Sequence, residues 1–200
     1  MEPMTDKDFF IHRLQATPVV AIIRGLDPAT ATATAIKSWA AGIALVEVSL
    51  VGEFAEESLA AVVDAAEGRH RVGAGTVLSP RDLERALEIG ATWAVAPNVS
   101  TETLSAAADA GCPMLPGVAT ATDLAIAMNL GYPLVKAFPA AQLGPGWMEA
   151  MRGPFPAAEF VAVGGITASN ARTYLDAGAA GVGMGSGLTA ALPHGLTFLD

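Results

Sequence analysis

Eight short apolar runs recur along this chain, each followed by a stretch long enough for a helix, and that alternation constrains the fold more than any other feature. The runs are VVAIIRG (19–25), ALVEVSL (44–50), RVGAGTVL (71–78), WAVAPN (93–98), PMLPGV (113–118), PLVKAF (133–138), FVAVGGI (160–166) and AGVGMG (180–185). Near-continuous apolarity of this kind marks parallel strands covered on both faces. The junctions repeat as well. Ala41-Gly42, Ile89-Gly90, Ala110-Gly111, Leu130-Gly131 and Ala177-Gly178 each set a glycine where a helix closes, a few residues before a strand, as a left-handed C-terminal cap requires. Ser79-Pro80 with Asp82, and Thr120 with Asp123, mark helix starts by placing a capping side chain before the helix and an acid in its first turn. Residues 5–16 add an amphipathic helix before the first strand, with Phe9, Phe10, Ile11 and Leu14 as apolar positions. Eight βα units with short connections predict an α/β fold, a (β/α)8 TIM barrel with an extra N-terminal helix, as a single domain over residues 1–200. A doubly wound open sheet is the alternative. In the barrel, chemistry belongs at the C-terminal ends of the strands.

The composition, 52% hydrophobic and 16% charged over 200 residues, suits one domain with a substantial core and rules out a disordered chain. A formal net charge of −9 with no lysine or arginine cluster argues against a polyanion-binding surface, so nucleic acid is not an expected partner. Residues 177–199 carry no charge, but glycines, Ser186, Pro193 and His194 interrupt them. They therefore read as a buried strand, a glycine-rich loop and a short helix rather than a membrane span. The first residues lack the basic and apolar regions of a signal peptide. Cys112 is the one cysteine; it leaves no internal disulfide, fits a reducing compartment and, at the start of an apolar strand, reads as a packed thiol.

Against this background two charged residues stand out. Of three lysines, Lys7 and Lys37 have polar or helix-forming neighbours, whereas Lys136 lies between Val135 and Ala137 in an otherwise uncharged strand. Burial disfavours the ammonium form and lowers its pKa, which makes an amine a nucleophile toward carbonyl carbon. Among twenty acidic residues, Glu47 alone is embedded in an apolar strand. In a closed barrel the two can meet across the interior, where a displaced acid and amine can exchange protons near neutral pH. The alternatives are a strand-end lysine that snorkels to water and a purely structural ion pair.

The remaining strand ends supply candidate ligand contacts. Arg24 ends the first strand, Thr76 the third, Pro97 and Asn98 the fourth. Gly164-Gly165 after the seventh strand and Gly185-Ser186 after the eighth offer unobstructed backbone N–H groups to an anion, at the place where barrels commonly hold phosphate. A metal-dependent phosphosugar epimerase or isomerase would need ligands at strand ends, but His12, His70 and His194 all fall outside the runs. A non-catalytic ligand-binding barrel is a further alternative on fold alone.

Taken in order, GAGTVL (73–78), the Pro-Gly of MLPGV, KAFPA (136–140), VGGI (163–166), GMGS (183–186) and the glutamate of VEVSL resemble the class I aldolases that cleave 2-keto-3-deoxy-6-phosphosugar acids. The resemblance covers about residues 17–190. It implies a Schiff-base lysine at Lys136 and a proton-relaying acid at Glu47. It implies substrate contacts from Arg24, Thr76, Pro97, Phe138 and Val163, and phosphate binding by Gly165, Gly185 and Ser186. No metal or organic cofactor is implied; the implied partner is a small phosphorylated keto acid, and members are commonly cytoplasmic homotrimers. Two departures stand against the gluconate-type members. They usually carry arginine four positions after the glutamate, where this chain has Val51, and threonine before the Gly-Gly pair, where it has Val163. Both departures, with FVAVGGI, the Pro-Asn of WAVAPN, the CPMLPGVATAT run and the Gly-Pro of QLGPGW, resemble the phosphogalactonate branch. Relatives also usually continue into a longer closing helix beyond the position of Asp200, from which a difference in barrel stability or assembly is expected.

Overall fold

The computed structural model describes residues 6–192 and 195–199. Its core is a ring of parallel strands: β1 (Val19–Ile23), β2 (Leu45–Ser49), β3 (Val72–Gly75), β4 (Trp93–Val95), β5 (Met114–Leu115), β6 (Gly117–Val118), β7 (Leu134–Ala137), β8 (Glu159–Val163) and β9 (Gly181–Met184). Helices α1 (Asp6–Ala16), α2 (Pro28–Ala40), α3 (Ala55–Ala66), α4 (Pro80–Ile89), α5 (Thr101–Asp109), α6 (Ala121–Asn129), α7 (Ala140–Leu143), α8 (Pro145–Arg152), α9 (Ala171–Asp176) and α10 (Ser186–Ala191) alternate with them, and a 3-10 turn follows at Thr197–Leu199. The order around the sheet is β5-β4-β3-β2-β1-β9-β8-β7-β6, a (β/α)8 barrel rather than an open sheet.

One expected strand differs. The single run 113–118 is two strands, β5 and β6, split at Pro116. Proline has no N–H to give to a ladder, and the residues on either side pair in parallel with different neighbours: Met114 and Leu115 with Ala94 and Val95 of β4, Gly117 and Val118 with Lys136 and Ala137 of β7. The bent strand thus closes the ring, and Pro116 still accepts from Lys136 N–H through its carbonyl. The glycine-rich loop expected after the last strand contracts to Gly185, with α10 starting at Ser186. His194 lies outside the described residues.

The helix boundaries follow the local chemistry. Gly42, Gly90, Gly111, Gly131 and Gly178 all have positive φ. Ser79 Oγ accepts from Asp82 N–H, and Thr120 and Asp123 form a reciprocal capping box. These caps tie down the rims of the C-terminal face as well as the helices, because Asp82 also accepts from Leu78 N–H and Asp123 from Ala119 N–H.

The core has two layers, one between strands and helices and one inside the barrel. The inner layer is sealed at the N-terminal end by α1, whose Phe9, Phe10 and Leu14 pack with Val20, Leu45, Trp93, Leu134 and Val161. Phe10 meets Trp93 edge-on at 5.6 Å, a favoured aromatic geometry. Lys7 pairs with Glu159 at the start of β8, and Asp6 accepts from Met114 N–H. With that end filled among the described residues, the cavity opens at the other. Cys112 lies two residues before β5, 4% exposed, and burial pushes its thiol up to about 11.

Candidate active site

Alternation along each strand decides which side chains reach the interior. On β2 these are Leu45, Glu47 and Ser49; on β7 they are Leu134 and Lys136, with Phe138 just beyond. Bulky residues fill the deep end, and glycines open the next layer. Gly73 leaves room for the Trp93 ring, Gly75 for the Glu47 carboxylate, and Gly183 for Val163 and Ile22.

Lys136 and Glu47 are each 2% exposed. Burial holds the Lys136 ammonium below its ordinary value; Glu47 opposes that shift and Arg24 adds to it. Burial raises the Glu47 carboxyl, while Lys136 and Arg24 pull it down. The ion pairs among the described residues lie elsewhere, and none joins Lys136 to Glu47. The two groups are therefore coupled through a low-dielectric interior while the amine remains unbonded. Its Nζ lies 5.0 Å from the centroid of the Phe138 ring.

Lys136 opens onto a cavity of about 740 Å3 whose walls include Ile22, Arg24, Phe138, Val163, Gly165 and Ser186. Of the ten residues that the aldolase resemblance implies, seven line it: Lys136, Arg24, Phe138, Val163, Gly165, Gly185 and Ser186, and Gly164 lines it beside them. The other three do not. Glu47 sits behind the wall, Thr76 lies at the end of β3, and Pro97 lies at the end of β4 with its backbone against Gly117. The cavity thus leans toward the β1, β7, β8 and β9 side. Gly164 and Gly165 have φ of 99° and 74°, a backbone that L side chains rarely adopt, and a Cβ on Gly165 would meet the Ala141 side chain at 2.5 Å.

Sequence reasoning missed Leu26, Thr34, Thr167 and Thr189 as lining residues, and it missed Ser49. Strand alternation could have flagged Ser49, two residues past Glu47. Thr34 and Thr189 come from helices, where a hydroxyl carries no such signal. Among the described residues no three His, Cys, Asp or Glu side chains gather as a metal-binding group, and none of the helices is long and apolar enough to cross a membrane.

A closed parallel barrel that presents a buried strand amine to an open cavity, with a coupled carboxylate behind it, is the architecture of a carbon–carbon lyase of the barrel aldolase class. The chain belongs to the KDPG and KHG aldolase family, whose model matches residues 10–192. It is 37% identical over 172 residues to the 2-dehydro-3-deoxy-6-phosphogalactonate aldolase of Escherichia coli K12, covering 86% of this chain and 84% of that protein. A solved structure described as native KDPGal superposes with a TM-score of 0.82 at 33% identity, over 90% of this chain and 91% of that one. A KDPG aldolase from Legionella pneumophila, solved with pyruvate captured at low pH as a covalent carbinolamine intermediate, superposes with a TM-score of 0.84 at 30% identity, over 98% of this chain and 94% of that one.

Proposed function

We propose that this protein is a class I aldolase that cleaves 2-keto-3-deoxy-6-phosphogalactonate to pyruvate and D-glyceraldehyde 3-phosphate, with Lys136 as the Schiff-base residue. The observation that carries this reading is the unbonded, pKa-depressed Lys136 amine at the cavity wall. In the neutral form that burial favours, Nζ adds to the C2 ketone to give a carbinolamine; protonated Glu47 delivers its proton to the carbinolamine hydroxyl, directly or through one water, and that hydroxyl leaves as water to give the protonated imine and the Glu47 carboxylate. The C4 hydroxyl gives up its proton to the Glu47 carboxylate, directly or through one water, as the C3–C4 bond breaks. The bonding electrons move into the imine to form an enamine, and the phosphorylated aldehyde leaves. Protonation at C3 and hydrolysis then release pyruvate and regenerate the amine.

Arg24, exposed just past the end of β1 and in no ion pair among the described residues, suits the substrate carboxylate, with Thr76 on the opposite rim. Backbone N–H groups at Gly165, Gly185 and Ser186 suit the 6-phosphate, and Phe138 and Pro97 flank the chain between. The reaction as written requires no metal or organic cofactor.

Val163 is buried at the cavity wall, at the position where gluconate-type sequences carry threonine. A threonine hydroxyl there could bond one C4 epimer; valine cannot. This favours the galactonate epimer over the second reading, 2-keto-3-deoxy-6-phosphogluconate, by at most about 1–3 kcal/mol. Comparing kcat/KM for the two purified epimers tests the choice. A clear preference for the gluconate epimer overturns the branch and leaves the aldolase reading standing.

The same reading makes the protein a cytoplasmic homotrimer. The trimer has its support in the loops after β2 and β3, which expose Val51, Phe54 and Leu78, apolar side chains of the kind a subunit contact covers. Sedimentation tests it, and a species of 20.3 kDa alone would contradict it.

A further inference from the structure

Ser49 carries a hydroxyl that the chemistry above does not use. It is 2% exposed, two residues beyond Glu47 on the same face of β2. Its Oγ accepts from Val51 N–H at 3.3 Å and lies 3.1 Å from Thr76 Oγ1. The Ser49 hydroxyl makes no other hydrogen bond among the described residues. If Thr76 were the donor, the Ser49 hydrogen would be buried without a partner, which is the costly outcome. Either hydroxyl could be the donor by distance alone, and that cost favours Ser49 as donor and Thr76 as acceptor. Half-buried Thr76 then keeps its own hydrogen for a group at the barrel mouth.

The backbone singles out the same place. Thr76 has a φ of 61°, and Glu67, at a helix C-terminus, is the other described non-glycine residue with positive φ. A β-branched residue enters that region only at a cost, and such positions cluster where a side chain must be aimed. Leu50 N–H donates to Gly75 O at 2.8 Å, which holds the β2 and β3 ends together around the two hydroxyls. Val51 N–H, Ser49 and Thr76 form a chain of donors running outward, and each bond in such a chain strengthens the next.

We infer that Ser49 is a positioning residue that sets the Thr76 hydroxyl as a donor to the carboxylate of the 2-keto acid. This rests on the reading of Thr76 as a substrate contact. Imine formation with pyruvate and with its uncharged analogue pyruvamide, trapped by cyanoborohydride, separates the two. Ser49→Ala should raise the half-saturating pyruvate concentration about 3- to 10-fold and leave that of pyruvamide unchanged, whereas Ser49→Thr should restore the wild-type value. The double variant Ser49→Ala/Thr76→Val should bind pyruvate no more weakly than Thr76→Val alone, because residues acting through one another are not additive. Equal weakening of both ligands in Ser49→Ala, no weakening of either, or additive losses in the double variant would overturn the inference while leaving Thr76 in place. Wild-type pyruvate affinity in Thr76→Val would overturn the reading of Thr76 and the inference with it. Absence of any pyruvate adduct in the wild-type protein would instead refute the aldolase reading.

Discussion

Gly75 of β3 lies against the Glu47 carboxylate, so that a Cβ at position 75 would sit 2.7 Å from Oε1. Two residues earlier on the same strand, a Cβ on Gly73 would fall 2.5 Å from Cδ2 and Cζ2 of Trp93. The two glycines face the same interior but guard different things. Gly75→Ala displaces the carboxylate, and its kcat should fall by about 10- to 100-fold with a smaller loss of stability. Gly73→Ala overpacks the sealed end of the barrel and should cost about 1–3 kcal/mol of stability with kcat largely kept in the folded fraction. Melting curves and kcat for both variants check this, and the reverse pattern would contradict it.

Glu47→Gln keeps the shape of the side chain and removes its capacity to take a proton. Turnover should fall by roughly 10² to 10⁴ in a folded protein; cleavage at close to the wild-type rate would make the carboxylate structural. Stability should move the other way with pH. Burial raises the Glu47 pKa above 4.5, so the folded state holds that proton to higher pH than the unfolded chain does. The penalty for ionising Glu47 is absent below pH 4.5 and grows as pH rises through the folded value. The melting temperature of Glu47→Gln relative to wild type should therefore increase from acid to neutral pH.

The barrel was legible because its signal is redundant. Gly42, Gly90, Gly111, Gly131 and Gly178 each mark a helix end on their own, and five agreeing caps leave little freedom for topology. Lys136 and Glu47 were legible because a charge inside an apolar strand is conspicuous, and burial of both follows from the closed ring. The split at Pro116 was not, because PMLPGV reads as one run until two different neighbours claim its two halves. Ser49 was also hidden. A serine at a strand end is ordinary, and only its contact with Thr76, 27 positions away, gives it meaning. The lack of a direct Lys136 to Glu47 ion pair likewise depends on where β2 and β7 stand across the ring.

Remote binding energy should matter at the Gly165, Gly185 and Ser186 corner of the cavity. Substrate lacking the 6-phosphate should react far more slowly, because the phosphate contacts position the reacting carbon. Ser186→Asp places a like charge beside that group and should weaken the phosphorylated substrate selectively. Steady-state kinetics with both substrates decide it, and equal losses would remove Ser186 from that corner.

The pH dependence of imine formation follows from the Lys136 environment. Only the neutral amine attacks carbonyl carbon, and burial lowers the Lys136 pKa from 10.5, so the reactive fraction at any pH below that exceeds that of a solvent-exposed lysine. Reactivity should be lost as pH falls through the depressed value, and the midpoint for pyruvate trapping should lie below 10.5. A midpoint at or above it would contradict the desolvated amine.

Lys136 as the nucleophile must form a covalent imine with pyruvate. Mass spectrometry after borohydride reduction with pyruvate measures this directly: one reduced pyruvyl adduct on the peptide containing Lys136, loss of cleavage activity in step with labelling, and no uptake by Lys136→Ala or Lys136→Arg. An adduct on Lys37, or labelling of Lys136→Ala to the wild-type extent, would contradict it.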